Sequence, residues 1–481
     1  MMGGLKPYPQ MKDSDVPWLG EVPEHWRTER AKWLFRKMDR PVKESDEVVT
    51  CFRDGTVTLR KNRRVRGFTE SLKEIGYQGI RRGDLVIHAM DAFAGAVGVS
   101  DADGKGTPVY SVCEPGPIAV SHYYAYAIRE MARSQWIQAL AKGIRERSTD
   151  FRFEGFGSQP VPLPPLAEQA AIVRFLDHAD RRIRRYIRAK QKLIKLLEEQ
   201  KQAIIHQAVT GRIDVRTGQP YPAYKNSGVE WLGEVPEHWH ARQVRRMVSL
   251  VTSGSRGWAE YYSDEGDVFI QSGNLGRSMA LDFSYTQHVK PPPGAEGVRT
   301  TVQRDDVLVC ITGALTGNVV IVDVEMPGQA YVNQHVALIR VKQDAVQPRY
   351  LAFALSSGVG KAQFKTGEYG GTKQGLGLDE VKGAVVPLPS TAEQIAICGY
   401  LDTSLESANS AIAAAQREIS LLHEYRTRLI ADVVTGKLDV REAAARLPDE
   451  SDEPLPDAAD DESIPDEPAD DLDALPEEAE A

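Results

Sequence analysis

The sequence predicts an α+β protein in which two mixed α/β modules are separated by two long helices that form an antiparallel coiled coil, followed by a disordered acidic tail. Three observations favour this class: segments at the ends of each module occur twice, one 42-residue run lacks Pro and Gly, and the last 35 residues carry sixteen acidic and no basic side chains. They place the modules at 1–161 and 217–386, the helical regions at 162–216 and 387–441, and the tail at 442–481.

Three segments of the chain recur in the same order. WLGEVPEHW is repeated without change, PLPPLAEQAAIVRFLD returns as PLPSTAEQIAICGYLD, and VTGRIDVR returns as VTGKLDVR. The copies begin at 18 and 231, at 162 and 387, and at 209 and 434. The offset is 213 for the first pair and 225 for the other two, so the length differs only inside the intervening module. Such a repeat predicts two copies of one architecture with a variable interior.

Each copy contains a segment with the periodicity of a long helix. Apolar residues follow one another at spacings near three and four, as in a packed helical seam. They are Ile172, Leu176, Ala179, Ile183, Ile187, Ile194, Leu197 and Ile204 in the first copy, and Ile397, Leu401, Leu405, Ala408, Ile412, Ala415, Ile419, Leu422, Leu429 and Val433 in the second. A Thr-Gly pair follows each segment and predicts its end, because Gly adopts the left-handed conformation that closes a helix. Each helix would be about 60 Å long. Its copy is the natural partner, and packing back onto the adjacent module is the alternative.

The modules are predicted to contain more strand than helix. The candidate strands are Leu85–Ala89, Ala119–Ile128, Val307–Ile311, Val319–Val322 and Val336–Val341. Asp54 and Gly55 separate two further short strands and predict a hairpin turn. GDLVI at 83–87 and DDVLV at 305–309 occupy equivalent places, which indicates one fold for both modules.

Composition excludes several classes of protein. With 481 residues and 42% apolar content, the chain can form several domains that each have a core. Cys51, Cys113, Cys310 and Cys398 are far apart, which predicts buried, reduced thiols in a cytoplasmic protein and neither a disulfide framework nor a zinc site. We expect no signal peptide and no membrane span, because every apolar stretch is short or interrupted.

The charge of the chain is concentrated at one end. The net charge is −9, but the chain without its last 35 residues has 59 basic and 52 acidic side chains, a net charge of +7. The tail also contains six prolines and almost no large apolar side chains, a composition typical of disorder. We interpret it as a solvated tail that favours solubility; the alternative is weak competition with DNA for a basic face of the body.

The motifs of several catalytic classes are missing from the sequence. Neither Gly104-Lys105 nor Gly436-Lys437 belongs to a phosphate-binding P-loop, and no GxGxxG opens a helix. The Asn/Asp-Pro-Pro-aromatic tetrapeptide that grips a flipped base in amino methyltransferases is also absent. Glu380 and Lys382 have no partner carboxylate for metal-dependent cleavage. We therefore expect a protein that binds rather than catalyses, with no metal site.

The variable modules contain side chains suited to DNA recognition. Arg and Lys bind phosphates, Arg also binds guanine, and Asn and Gln can bind the adenine edge. The candidates in the first module are Arg60, Lys61, Arg63, Arg64, Arg66, Arg145 and Arg147; those in the second are Arg256, Gln271, Asn274, Arg277, Asn333, Gln334, Lys373 and Gln374. Apart from the dense Arg cluster at 60–66, each of them could equally be an ordinary turn or surface residue.

Over residues 14–441, the doubled arrangement resembles the specificity subunit of type I restriction-modification systems. The resemblance implies two target-recognition domains, each for one half of a bipartite DNA sequence, and a coiled coil that sets the gap. It implies two methyltransferase subunits with S-adenosylmethionine, restriction subunits with ATP and magnesium, no cofactor in this chain, and a bacterial or archaeal cytoplasm. The partner-binding residues would be Glu168, Gln169, Ile172, Leu176, Glu393, Gln394, Ile397 and Leu401.

Two other functions remain open at this point. A stand-alone DNA-binding regulator would have the same modules, with a self-sufficient coiled coil and a polar outer face. A fused restriction or methylation enzyme would carry a catalytic motif that differs from those sought above. Turnover by the purified chain with DNA, S-adenosylmethionine, ATP and magnesium would identify the second.

Overall fold

The computed structural model describes residues 5–63, 75–140, 150–276, 278–292, 294, 297–326, 328–342, 344–368 and 375–448. The chain divides into two compact units, each containing one of the predicted modules. Unit 1 comprises residues 1–189 and 418–481, and unit 2 comprises residues 190–417. The division therefore groups part of each long helical region with a module, where the sequence suggested separate helical regions.

Unit 1 combines short strands with short helices. Its strands are β1 (Met11–Asp13), β2 (Glu21–Pro23), β3 (Arg27–Arg30), β4 (Phe35–Lys37), β5 (Val49–Cys51), β6 (Val57–Leu59), β7 (Gln78–Ile80), β8 (Leu85–His88), β9 (Val97–Val99), β10 (Gly104–Gly106), β11 (Tyr110–Pro115) and β12 (Pro160–Leu163). Its short helices are α1 (Ala31–Leu34), α2 (Ser121–Arg133), α3 (Trp136–Leu140) and α4 (Phe153–Ser158). The long helix α5 (Leu166–Val209) begins in this unit.

Unit 2 has the same kind of composition. Its strands are β13 (Tyr224–Asn226), β14 (Glu234–Pro236), β15 (His240–Gln243), β16 (Val248–Ser253), β17 (Tyr262–Ser263), β18 (Asp267–Ile270), β19 (Gln287–Val289), β20 (Val307–Cys310), β21 (Val319–Ile321), β22 (Ala330–Val332), β23 (Val336–Val341) and β24 (Val385–Leu388). Its helices are α6 (Pro348–Ser356), α7 (Gly358–Gly367) and α8 (Leu378–Gly383). The long helix α9 (Thr391–Val434) begins here, and α10 (Arg441–Ala445) follows it in unit 1.

The central sheets of the two units have one topology. In unit 1 the strand order is β4-β11-β8-β9, and in unit 2 it is β16-β23-β20-β21, with antiparallel pairing throughout. Strands β8 and β20 contain the GDLVI and DDVLV segments and occupy the same position. The predicted equivalence of these segments is thus confirmed.

The strands at the ends of the modules also repeat, residue for residue. Met11 pairs with Pro23 in the β1-β2 hairpin, and Tyr224 pairs with Pro236 in β13-β14. Strand β3 pairs with β12, and β15 pairs with β24, both in antiparallel register. Each WLGEVPEHW segment therefore contains the second strand of a hairpin, and the strand that follows it directly pairs with the segment before the long helix.

The two long helices confirm the predicted helical segments, and within each unit one packs against the other. In unit 1, Leu176 near the start of α5 and Leu429 near the end of α9 belong to one buried cluster, and Asp180 accepts a hydrogen bond from Arg426. In unit 2, Ile205 near the end of α5 and Leu401 near the start of α9 share a core. In each unit, the start of one long helix packs against the end of the other, which confirms the predicted antiparallel pairing.

The Gly residues that end the long helices are required by both conformation and packing. Gly211 has a φ of +70° and Gly436 a φ of +77°, in the left-handed region. A Cβ atom at Gly211 would lie 3.1 Å from the Trp239 ring, and one at Gly436 would lie 3.0 Å from the Trp26 ring. The repeated Thr-Gly pair thus closes the helix and allows contact with the repeated WLGEVPEHW segment.

The predicted strand at Ala119–Ile128 is wrong, because this segment begins helix α2. Its Val and Tyr residues suggested a strand by propensity. However, Tyr123, Tyr124, Ala127 and Ile128 are all fully buried at helical spacing. Tertiary burial of this face outweighs local strand preference. The other predicted strands are confirmed within one residue, as is the hairpin at Asp54-Gly55, where Val49 pairs with Leu59.

The ordered body extends beyond the predicted boundary at 441. Helix α10 lies at the start of the segment assigned to the tail, and its Ala444 is 2% exposed in the core of unit 1. The tail from 449 onward lies outside the described residues. Cys51, Cys113, Cys310 and Cys398 are free and buried, as predicted.

Candidate nucleic-acid interface

A buried carboxylate joins the repeated segments of unit 1. Glu168, at the start of α5, is 4% exposed. It accepts hydrogen bonds from the Trp26 indole at 2.9 Å and from the Tyr8 hydroxyl, and His25 Nε2 lies 2.9 Å from its Oε2 atom. Burial, followed by the hydrogen bond to Glu168, raises the pKa of Tyr8. These contacts hold the WLGEVPEHW motif, at the start of the module, against helix α5, which follows the module.

The same arrangement occurs in unit 2 around Glu393. His238 Nε2 lies 2.9 Å from its Oε1 atom, and the Trp239 indole and the Tyr221 hydroxyl donate to that oxygen at 3.5 and 3.2 Å. The Ser390 hydroxyl donates to Oε2 at 2.9 Å. Burial opposes ionisation of Glu393, but hydrogen bonds from His238 and Ser390 outweigh it and lower its pKa. Both copies thus use Glu, Trp, His and Tyr in the same roles.

The glutamines beside these carboxylates hold neighbouring loops. The carbonyl oxygen of Gln169 accepts from the Val120 backbone N–H at 2.9 Å, and its amide donates to the Ile118 carbonyl at 3.0 Å. The carbonyl of Gln394 accepts from the Gln347 N–H at 2.8 Å. The bonded loops precede α2 and α6, so each repeated Gln positions the next helix of its module.

These contacts change the interpretation of the residues expected to bind a partner. Their side chains are 0–4% exposed and pack inside their own unit, so in this conformation they do not form a docking surface: Glu168, Gln169, Ile172, Leu176, Glu393, Gln394, Ile397 and Leu401. The physical reason is that an apolar helical stripe is buried most easily against the same chain. Large apolar side chains do remain exposed on the long helices: Leu166, Tyr186, Leu421 and Tyr425 in unit 1, and Leu193, Leu196 and Ile395 in unit 2.

Three of the basic candidates in unit 1 directly follow the β5-β6 hairpin: Arg60, Lys61 and Arg63. Lys61 pairs with Glu47 at 2.5 Å, and Arg63 pairs with Asp54 at 2.6 Å while its guanidinium lies 4.7 Å from the centre of the Phe52 ring. The hydrogen bond from Arg63 helps to lower the pKa of Asp54 against the effect of burial. Arg60 donates to the Thr50 hydroxyl at 3.3 Å. These cations are held by the hairpin itself, which sets their positions.

Asn274 in unit 2 does not fit its predicted role in DNA binding. The side chain is 6% exposed, its amide donates to the carbonyls of Asp282 and Tyr285, and its oxygen accepts from the Gln271 N–H. Both donors and the oxygen of the amide are thus engaged inside the unit. Gln271 is partly buried and donates to the Tyr262 hydroxyl at 3.1 Å. Both residues support the loop after β18.

Asn333 and Gln334, predicted independently of Gln271, are brought together with it around one cleft. The cleft has a volume of about 310 Å³, and its aromatic lining is formed by Trp258, Tyr262 and Phe269. These rings are dispersed along the chain and follow no spacing, so the sequence did not predict their association. His335 also belongs to the lining.

Arg256 lies next to this cleft, since the following residue, Gly257, belongs to the lining. Its side chain is exposed. Several other candidates lie outside the described residues: Arg64, Arg66, Arg145, Arg147, Arg277, Lys373 and Gln374.

The part of the chain that the structure describes contains no group of three or more His, Cys, Asp or Glu side chains placed to hold a metal ion. Among the helices that the structure describes, none combines the length and the apolar character needed to cross a membrane.

The known proteins that the chain resembles include specificity subunits of type I restriction enzymes. Residues 299–420 match the family model of the type I restriction modification DNA specificity domain. The chain is 23% identical to the EcoBI specificity subunit of Escherichia coli over 58% of each chain, so it spans little more than half of that relative. It is 21% identical to the MjaX specificity subunit, a protein of Methanocaldococcus jannaschii described as putative, over 88% of this chain and 96% of that one.

A solved structure supports the fold. A chain from a study of complex assembly and conformational transition of the type I R-M system superposes with a TM-score of 0.60 at 15% identity, covering 87% of this chain and 99% of that one. The chain is thus similar to the specificity subunits of type I restriction-modification systems, and its residues 299–420 match the family model of the type I restriction modification DNA specificity domain.

Proposed function

We propose that each unit recognises one half of a bipartite, asymmetric DNA sequence, and that the paired long helices set the length of the gap. The observation that carries this proposal is the repeat of one sheet topology and one buried Glu cluster in two units whose DNA-facing candidates differ. Unit 1 offers Arg and Lys at a hairpin, whereas unit 2 offers amides around a cleft. A common scaffold with different surfaces suits the recognition of two different sequences.

The chain itself contributes recognition and assembly, and partner subunits contribute catalysis. Two methyltransferase subunits bind it and use S-adenosylmethionine to methylate one adenine in each half-site. Restriction subunits join through them and use ATP and magnesium. Two equivalent surfaces on one chain suit two identical partners. The exposed apolar side chains of α5 and α9, such as Leu196 and Leu421, support a docking role for the helices.

The proposal is tested by modified-base sequencing of a host genome with and without this gene, in the presence of its methyltransferase. The expected result is one bipartite adenine-methylation motif that disappears with the gene. Methylation that is unchanged by deletion would contradict the proposal. In a second test, the purified chain is incubated with DNA, S-adenosylmethionine, ATP and magnesium. Turnover without added subunits would contradict its assignment as a non-catalytic subunit.

A further inference from the structure

We propose that the cleft walled by Trp258, Tyr262 and Phe269 in unit 2 binds an adenine ring. The proposal adds a base-binding recess to the recognition surface of this unit. It rests on the proposed function only for the source of that ring, which is either an adenine of DNA that has left the base stack or a free adenine nucleotide.

The size and the walls of the cleft suit a planar ring. Its volume of about 310 Å³ lies at the lower end of the range typical of ligand pockets. The rings of Trp258 and Phe269 are stacked, with centroids 5.7 Å apart and an angle of 19° between planes, and Tyr331 packs edge-on against Trp258 at 5.2 Å. Tyr262 is 44% exposed. Trp258 and Phe269 are only 5% and 4% exposed because they pack on each other, so the exposed Tyr262 is the ring that can stack on a nucleobase.

Two consecutive residues supply polar atoms to the cleft. Asn333 is only 8% exposed, and its oxygen accepts from the His335 N–H at 3.0 Å, but its amide nitrogen has no hydrogen-bond partner among the described residues. Gln334 Nε2 lies 3.3 Å from the His335 ring, and within the same part of the chain the Gln334 carbonyl oxygen makes no hydrogen bond. The lining therefore offers one unused donor and one unused acceptor.

This pair of groups matches adenine better than guanine. Adenine presents the N6 amino donor beside the N7 acceptor, which complement the Gln334 oxygen and the Asn333 amide. Guanine presents two acceptors, O6 and N7, so its O6 would face the Gln334 oxygen without a hydrogen bond. A mismatch of this kind reduces affinity by about tenfold or more.

Among the described residues, the buried side-chain nitrogen and oxygen atoms that lack a partner do not include the Asn333 amide, so this donor is open to a ligand in the cleft. Unit 1 lacks the Asn-Gln pair, because the residues before its equivalent strand β11 are Thr107, Pro108 and Val109. The cleft is thus a property of the variable part of unit 2 and not of the repeated scaffold.

The test uses the full-length chain and ligand-observed saturation-transfer NMR. Adenosine, guanosine and 7-deazaadenosine, which lacks the N7 acceptor, are the probes. We expect adenosine to bind at least about tenfold more tightly than either of the other two. Equal affinities for adenosine and guanosine would overturn the proposal.

Two variants test the proposed polar contacts without disturbing the turn. Asn333→Asp keeps the oxygen that accepts from the His335 N–H but loses the amide donor, and Gln334→Met loses the acceptor. Each should weaken adenosine binding about tenfold. Asn333→Asp should bind adenosine and 7-deazaadenosine with equal affinity, because the variant has already lost the contact to N7. Glu406→Ala, on the exposed surface of α9, is the matched control and should bind normally. Normal adenosine binding by both cleft variants would overturn the proposal.

A second experiment identifies whether the adenine ring comes from DNA or from a free nucleotide. Duplexes with a single bulged adenine or a single bulged thymine are compared for binding to the full chain. Tighter binding of the bulged adenine, lost in Asn333→Asp, assigns the ring to DNA; equal binding of both duplexes alongside retained adenosine binding assigns it to a free nucleotide. Absence of adenosine binding would overturn the proposed adenine site but not the proposed function, because the bipartite methylation motif is measured independently.

Discussion

The indole nitrogen of Trp26 donates a hydrogen bond to the carboxylate of Glu168 at 2.9 Å, across 142 positions of sequence. The contact closes the module of unit 1 at its two ends, and the second copy closes unit 2 in the same way. Because a buried carboxylate is costly without partners, the repeated segments stabilise each other only in combination. This explains why both segments are repeated while the sequence between them differs.

Removal of the Glu168 carboxylate should destabilise unit 1. Glu168→Ala leaves the Trp26 indole and the Tyr8 hydroxyl buried without an acceptor, so we expect the free energy of unfolding to fall by about 3–5 kcal/mol. Urea denaturation of the full chain measures the change. Glu424→Ala, on the exposed surface of α9, serves as the control and should change stability little. A loss equal to that of the control would mean that the cluster does not hold the module together.

The stability of unit 2 should depend on the ionisation of Glu393. Its pKa is lower in the folded state than the ordinary value of about 4.3, so its charged form stabilises the fold above that pH. This stabilisation should disappear as the pH falls through the folded pKa. In urea denaturation from about pH 7 down to 3, the wild type should lose its advantage over Glu393→Gln in the acidic range. A constant difference between the two would contradict the proposed role of the charge.

The basic hairpin of unit 1 should contribute phosphate contacts. Substitution of Arg60, Arg63, Arg64 and Arg66 by Ala should weaken DNA binding and reduce its salt dependence, by about 0.9 in the log–log slope for each lost phosphate contact. Binding measured over a series of salt concentrations checks this, with the exposed Arg27 and Arg30 of β3 replaced by Ala as the control. An unchanged slope in the fourfold variant would place the phosphate contacts elsewhere.

The long helices should determine the gap between the half-sites. One heptad inserted after Ala189 in α5 and another after Arg417 in α9 lengthens each helix by about 10 Å, or about three base pairs of DNA. Modified-base sequencing should then show both half-sites unchanged and the gap longer. Insertion into α5 alone should disrupt the pairing of the helices and reduce methylation. An unaltered gap in the double insertion would show that the helices do not set the spacing.

Features with a periodic or repeated signal could be predicted from the sequence. The long helices follow from the spacing of residues such as Leu176 and Leu401, and the shared fold follows from the equivalence of β8 and β20. Helix α2 was mistaken for a strand because the propensity of Tyr123 and its neighbours is local, whereas their burial is set by tertiary packing.

The candidate site was predictable only in part, because it depends on contacts between distant residues. Asn333 and Gln334 carry the right chemistry, but Asn274 has the same chemistry and uses it for internal hydrogen bonds. Trp258 and Phe269 have no sequence spacing that indicates their stacking. The repeat of Glu168 as Glu393 was visible, yet its burial against the opening motif required the folded chain.

Exchange of one recognition segment tests whether each unit recognises one half-site. A chimera replaces residues 244–384, which lie between the paired strands β15 and β24, with the corresponding segment of a type I specificity subunit of known target sequence. Modified-base sequencing of the host then reports the methylated motif. We expect one half-site to change to that of the donor while the other half-site and the gap stay the same. A change in both half-sites, or in neither despite full methylation, would contradict the assignment of one half-site to each unit.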